Sequence, residues 1–149
     1  QLSYGQALGF ELALMRFVDD CVTNSDCPLD ASGAAGVSEV GDLLIALDAN
    51  PVTLDDNRLF TQAMGTLGVV GSLYDTQYGW PELRTNLGLA FEDDFSGLAS
   101  SVDFYTGRQS DGSYKDNSND AVCAYSEADA RVQTCWSGIS LRISGLIRS

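Results

Sequence analysis

The chain has no histidine among its 149 residues. That absence excludes a Ser-His-Asp triad within this sequence, zinc sites with imidazole ligands, and acid/base chemistry run by an imidazole near neutral pH. A serine hydroxyl is a poor nucleophile unless a base takes its proton. The opening Gln1-Leu2-Ser3-Tyr4-Gly5, one residue away from a G-x-S-x-G elbow, therefore lacks the usual partner. Gln1 stands where the elbow needs glycine and no strand precedes it, so Ser3 is read as part of a lead into the first helix. Cationic side chains are scarce as well: eight Lys+Arg stand against 21 Asp+Glu, a net charge of −13. Such a charge repels phosphate backbones and anionic membrane surfaces, so neither nucleic acid nor a membrane is an expected partner. Long apolar runs are missing too. Gly, Asp or Arg interrupts every hydrophobic stretch well short of the ~20 residues that cross a bilayer. No basic region followed by an apolar core stands at Gln1, so an export signal is either removed or outside this sequence.

What is present fits one domain able to bury a core. The acids, among them Asp19, Asp42, Asp55, Asp56 and Asp129, are dispersed and read as a solvated surface. Four cysteines fall into two local groups, Cys21 with Cys27 and Cys123 with Cys135. Neither has C-x-x-C spacing, and no histidine completes a mixed metal site, so disulfides are expected and metals are not. Of three possible connectivities the two local pairings are preferred over the crossed ones; four free thiols in a cytosolic protein is the alternative. Persistent disulfides imply a secreted or cell-surface location.

Apolar spacing predicts an all-α bundle of about six helices joined by short loops. The first runs from Gln6 to Cys21, with one row at Ala7, Phe10, Leu14, Phe17 and Cys21 and a second at Leu8, Leu12, Met15 and Val18, both expected to be buried. Asp30 to Gly36 reads as a connection, with Ser38 as N-cap of a helix through Val40, Leu44 and Leu47 that Asn50-Pro51 stops. Asp55-Asp56 opens the longest candidate helix, carrying Phe60, Met64, Leu67, Val70 and Tyr74. Gly65, Gly68 and Gly71 recur inside it, each unfavourable to helix by about 1 kcal/mol relative to alanine. They read as a close-packing ridge, because no strand-turn-helix setting for a dinucleotide surrounds them, and no cofactor is expected. Trp80-Pro81 starts a helix bearing Leu83, Leu87, Ala90 and Phe91. Phe95, Leu98, Val102 and Tyr105 line another, closed at Gly107. After a polar loop over 108–119, Val122, Tyr125, Asp129 and Val132 return to helical spacing. Residues 1–136 form the expected domain and 137–149 a short tail.

Three stretches in order resemble one family. They are Gln6-Ala7-Leu8-Gly9-Phe10-Glu11 running to Phe17-Val18-Asp19-Asp20-Cys21 and Asp26-Cys27-Pro28-Leu29; then Leu73-Tyr74 with Trp80-Pro81 and Leu83; then Asp103-Phe104-Tyr105-Thr106-Gly107-Arg108 with Asp111-Gly112-Ser113-Tyr114 and Ala121-Val122-Cys123. The last is similar to a "D-x-Y-x-G-R…D-G-S-Y…A-I-x-C" signature. Together they resemble the helical cap inserted in the secreted, actinobacterial tripeptidyl aminopeptidase-like α/β-hydrolases. In that family the nucleophile lies in the core before the cap, and the acid and histidine lie in the core after it. Missing histidine is then what a cap without its core should show. The family continues past Cys123 through a proline-containing stretch to a second cysteine and a Trp-Pro pair. Here Ala124 to Trp136 is shorter, and 137–149 matches no core strand.

The resemblance implies a lid that shapes access and is not catalytic alone. A peptide substrate would be its partner, through a catalytic core. Exopeptidases recognise a free α-amino group, for which a cap carboxylate is suited. Glu92, Asp93, Asp94 and Asp103 are the substrate-binding candidates, with N-caps or solvated charges as the plainer role for each. Two other classes stay open. A stand-alone secreted binding module would use exposed Tyr78, Trp80 and Tyr114 as a contact patch, with Trp80 in the core as the plainer role. A carboxylate-only glycosidase needs no histidine, but nothing selects a catalytic pair.

Overall fold

A computed structural model describes residues 2–115, with side chains from Leu8 onward. Among the described residues there are five helices and one small ribbon: α1 (Leu2–Cys21), α2 (Gly33–Ala49), β1 (Val52–Thr53), β2 (Leu59–Phe60), α3 (Gln62–Ser72), α4 (Gly79–Phe91) and α5 (Ser96–Thr106). The expected sixth helix around Val122 to Val132 lies outside the described residues, as do Cys123, Cys135 and the 136/137 boundary. Helices α3, α4 and α5 pack on one another, and α2 joins them to α1. The centre of the core is fully buried Phe17, Val18, Val40, Leu47, Phe60, Leu83, Leu87 and Leu98.

Helix α2 begins earlier than its apolar period suggested. Gly33, and not Ser38, opens it; Ser38 is already inside, donating from Oγ to the Ala34 carbonyl at 3.0 Å. The preceding turn is shaped by carboxylates from both flanking helices. Glu39 accepts from the Asp30 and Ala31 amides at 2.9 and 3.0 Å, and Asp19 accepts from the Gly33 amide at 2.9 Å. Since the Ser32 side chain makes no cap, Asp19 takes over an otherwise orphaned helix donor.

The largest departure is at 52–60. Asp55-Asp56 opens no helix; it sits in the turn of an antiparallel hairpin pairing Val52 with Phe60 and Thr53 with Leu59. Asn57 occupies the left-handed region at φ 64°, which asparagine tolerates, and Asp56 Oδ1 accepts from the Arg58 amide at 3.1 Å. Phe60, which continues the apolar period of the following helix in sequence, therefore lies in the hairpin strand instead. The helix starts only after Thr61, whose side chain caps the Met64 amide.

The three glycines of α3 do serve close packing. A Cβ at Gly65 would lie 2.8 Å from Leu44 Cδ2 of α2, one at Gly68 3.0 Å from the Leu98 carbonyl oxygen of α5, and one at Gly71 3.1 Å from the Tyr105 ring. Between α4 and α5 the buried Asn86 donates to Ser101 Oγ at 3.0 Å, and its Oδ1 stands where a Cβ at Gly97 would be. Trp80 packs edge-on to Phe17 at 5.9 Å, so it belongs to the core.

The second row of α1 corrects another expectation. Leu8 and Leu12 are exposed at 43% and 50%, and only Met15 and Val18 in that row meet the core. Among the described side chains of α1, burial begins at Leu14.

Candidate functional site

The signature-bearing end is a small machine of turns around the α5 C-terminus. Gly107 closes the helix in the left-handed conformation, φ 72°, where a side chain would be strained. The chain then reverses. Arg108 bridges to Tyr114, the Gln109 amide donates to the Ser113 carbonyl at 2.7 Å, and the Lys115 amide donates to the Gly107 carbonyl at 2.9 Å. Within the turn, Asp111 Oδ1 accepts from both the amide and the hydroxyl of Ser113, which holds its carboxyl below the usual carboxylate range, the hydroxyl bond contributing most. The spaced Asp, Gly, Arg and Asp-Gly-Ser-Tyr residues are thus explained by one local fold.

Asp103 is its centre. Both carboxylate oxygens are taken by Arg58 of the hairpin, Nη1 at 2.8 Å and Nη2 at 2.9 Å, in a fork-on-fork pair. Arg108 Nη1 lies 3.6 Å away, and Asp56 contacts the Arg58 Nε from the other side. The Asp103 bond is the main cause raising the Arg58 guanidinium pKa further, and the Arg58 amide is the main cause lowering that of Asp56. Two arginines and two aspartates balance. Arg58 and Asp103 are mostly shielded, with side chains 17% and 25% exposed.

The other three carboxylates stand before α5. Glu92 is the C-cap of α4, and Asp93 sits in the left-handed region at φ 65°. Asp94 Oδ1 accepts from the Ser96 amide at 3.0 Å, and Ser96 holds its carboxyl low, its side chain contributing most. The structure does not bring the four together: the 92–94 turn and Asp103 are separated by most of α5, roughly 12 Å of helical rise. Ser3 lies within α1, which offers no strand-to-helix elbow. No group of three or more Cys, Asp or Glu able to hold a metal occurs among the described residues.

The expected contact patch of Tyr78, Trp80 and Tyr114 is likewise dispersed: Tyr78 is exposed at 70%, Trp80 is partly buried against the core, and Tyr114 is in the Arg108 bridge. A different aromatic group does assemble. Phe10 of α1 meets Tyr74 edge-on at 5.5 Å, and Tyr74 stacks on Tyr105 of α5 at 6.1 Å. Partial burial, then the Tyr105 neighbour, raises the Tyr74 phenol pKa. Periodicity had Tyr74 and Tyr105 on core faces, and nothing in it distinguished an apolar face covered by the bundle from one left open.

A cystine joins Cys21 to Cys27, with Cα atoms 5.2 Å apart, and Arg84 reaches the acids beside it, Asp20 and Asp26, each at 3.4 Å. No helix among the described residues is long and apolar enough to cross a membrane.

The chain is related to serine hydrolases. It is 33% identical to Carboxylesterase B of Mycobacterium tuberculosis, over 86% of this chain and 24% of that protein. To Serine protease Hip1 of Mycobacterium tuberculosis it is 30% identical, over 83% of this chain and 25% of that one. The chain therefore spans about a quarter of the length of the curated relatives it matches. No family model matches it.

Proposed function

We propose that this chain is the helical lid of a secreted serine hydrolase of the tripeptidyl aminopeptidase-like kind, shaping substrate access without supplying catalytic groups. One observation carries the proposal: a histidine-free helical segment aligns with a quarter of a carboxylesterase and of a serine protease, enzymes several times its length. A lid of this kind excludes water and limits which chain ends enter the site. Its substrate would be a peptide, bound jointly with a catalytic core. Recognition of the free α-amino group falls to Glu92 and Asp93, whose side chains have no hydrogen bond or ion pair among the described residues. Asp94 is committed to Ser96, and Asp103 to Arg58. The Cys21–Cys27 cystine supports an extracellular or cell-surface location.

The polypeptide alone is expected to hydrolyse no chromogenic aminoacyl or ester substrate and to resist a serine-reactive fluorophosphonate. Stoichiometric labelling at Ser3, located by peptide mass spectrometry, would overturn the lid proposal.

A further inference from the structure

We infer that the face built by Phe10, Tyr74 and Tyr105 is the seat on which this lid packs against the body of its own hydrolase; the inference rests on the lid proposal above. Four ring pairs occur among the described residues. Two of them, Phe17–Trp80 and Phe60–Phe95, belong to the core. The other two share Tyr74 and lie at the surface, with Tyr74 exposed at 63% and Tyr105 at 47%. Three elements contribute to this second group, and the Tyr105 ring rests on the backbone at Gly71, where a Cβ would come within 3.1 Å. Ordering rings without covering them forgoes most of the burial free energy they offer, roughly 25 cal/mol per Å² of apolar surface. Rigid aromatics with a polar tip are the residues found at the centre of protein interfaces.

The cover is assigned to the hydrolase body for two reasons. First, about three quarters of each matched relative lies outside the region this chain aligns with, so a large partner surface is available within one polypeptide. Second, a second copy is a poor cover, because each chain carries a net charge of −13 and two copies repel. Among the described side chains of α1, none before Leu14 is buried, so the described part of the bundle leaves this face open.

Hydroxyl-radical footprinting, read residue by residue by mass spectrometry, tests the assignment. The 149-residue chain is compared with the longer polypeptide in which this segment accompanies its catalytic body. Phe10, Tyr74 and Tyr105 should oxidise about fivefold more slowly in the longer protein, as rings in an interface core do, while Tyr78 keeps its rate. Equal rates at the three rings in both proteins overturn the inference and leave the lid proposal standing. Protection at Tyr78 in their place overturns it too, because another face then docks. Protection in the short chain alone that vanishes on dilution gives the face to a second copy and also overturns it. If the open reading frame encodes no catalytic body around this segment, the lid proposal fails first and the inference falls with it.

Discussion

Two regions of the molecule fasten a loop to a helix by opposite chemistry. At the end of α1 a cystine closes Cys21 to Cys27 across six positions, and Arg84 adds long contacts to Asp20 and Asp26. At the end of α5, Arg58 grips Asp103 from 45 positions away, with Asp56 and Arg108 completing a balanced quartet. The covalent tie acts mainly by restricting the unfolded chain and is indifferent to salt and acid. The ionic tie acts only in the folded state, needs both forks aligned, and fails when either partner is neutralised. A helical bundle held by both has one end fixed by compartment and another fixed by charge.

Loss of the cystine should have the largest effect. Replacing Cys21 and Cys27 together by alanine should lower stability by about 2 kcal/mol, the cost of restoring a short loop's freedom to the unfolded chain, measured by denaturant titration without reductant. A loss as small as that of an exposed ion pair would leave the covalent tie no stronger than the ionic one.

Next comes Arg58→Met, which leaves Asp103 shielded without its fork. About 1–2 kcal/mol should be lost, less than for a fully buried pair because both side chains keep some exposure. Lysine at the same position should recover only part of it, since a point charge cannot fill two carboxylate oxygens at once. Full recovery by lysine would show that the fork geometry is unimportant.

The smallest effect is acid sensitivity. Asp56 and Asp111 have carboxyl pKa values lowered from 3.8 in the folded chain. Their contribution is complete above roughly that pH and is lost as pH falls through the lower folded values. Melting temperature should accordingly drop more steeply below about pH 4, and Asp56→Asn should flatten the slope. An unchanged slope would remove Asp56 from the ionic tie.

The same contrast explains what the sequence disclosed. Cys21 and Cys27 are near in the chain, and their pairing was legible from spacing. So was the stop at Gly107, whose positive φ is a local requirement, and so were Leu83, Leu87, Leu98 and Val102 as core. Asp103 is visible in the sequence but its partner is not, because Arg58 belongs to a hairpin that helical spacing from Phe60 to Tyr74 conceals. Ser38 reads as a cap because apolar period begins there, whereas the helix begins at Gly33 beside carboxylates from Asp19 and Glu39. Leu8 and Leu12 show the remaining gap: a period defines the side of a helix, not whether anything lies against it. The candidate carboxylates 92–94 and Asp103 were visible one by one, but their separation along α5 is a tertiary fact.

Helix α3 carries a consequence for how the chain acquires its shape. Three glycines in 11 residues oppose helix formation by about 3 kcal/mol relative to alanine, so this segment has little helix of its own in isolation. It becomes helical against Leu44 and Leu47 on one side and Leu98 and Tyr105 on the other. Its stability as a helix therefore depends on those partners, which lie both before and after it in the chain. The middle of the bundle thus draws its stability from both flanks, and loosening either one weakens it.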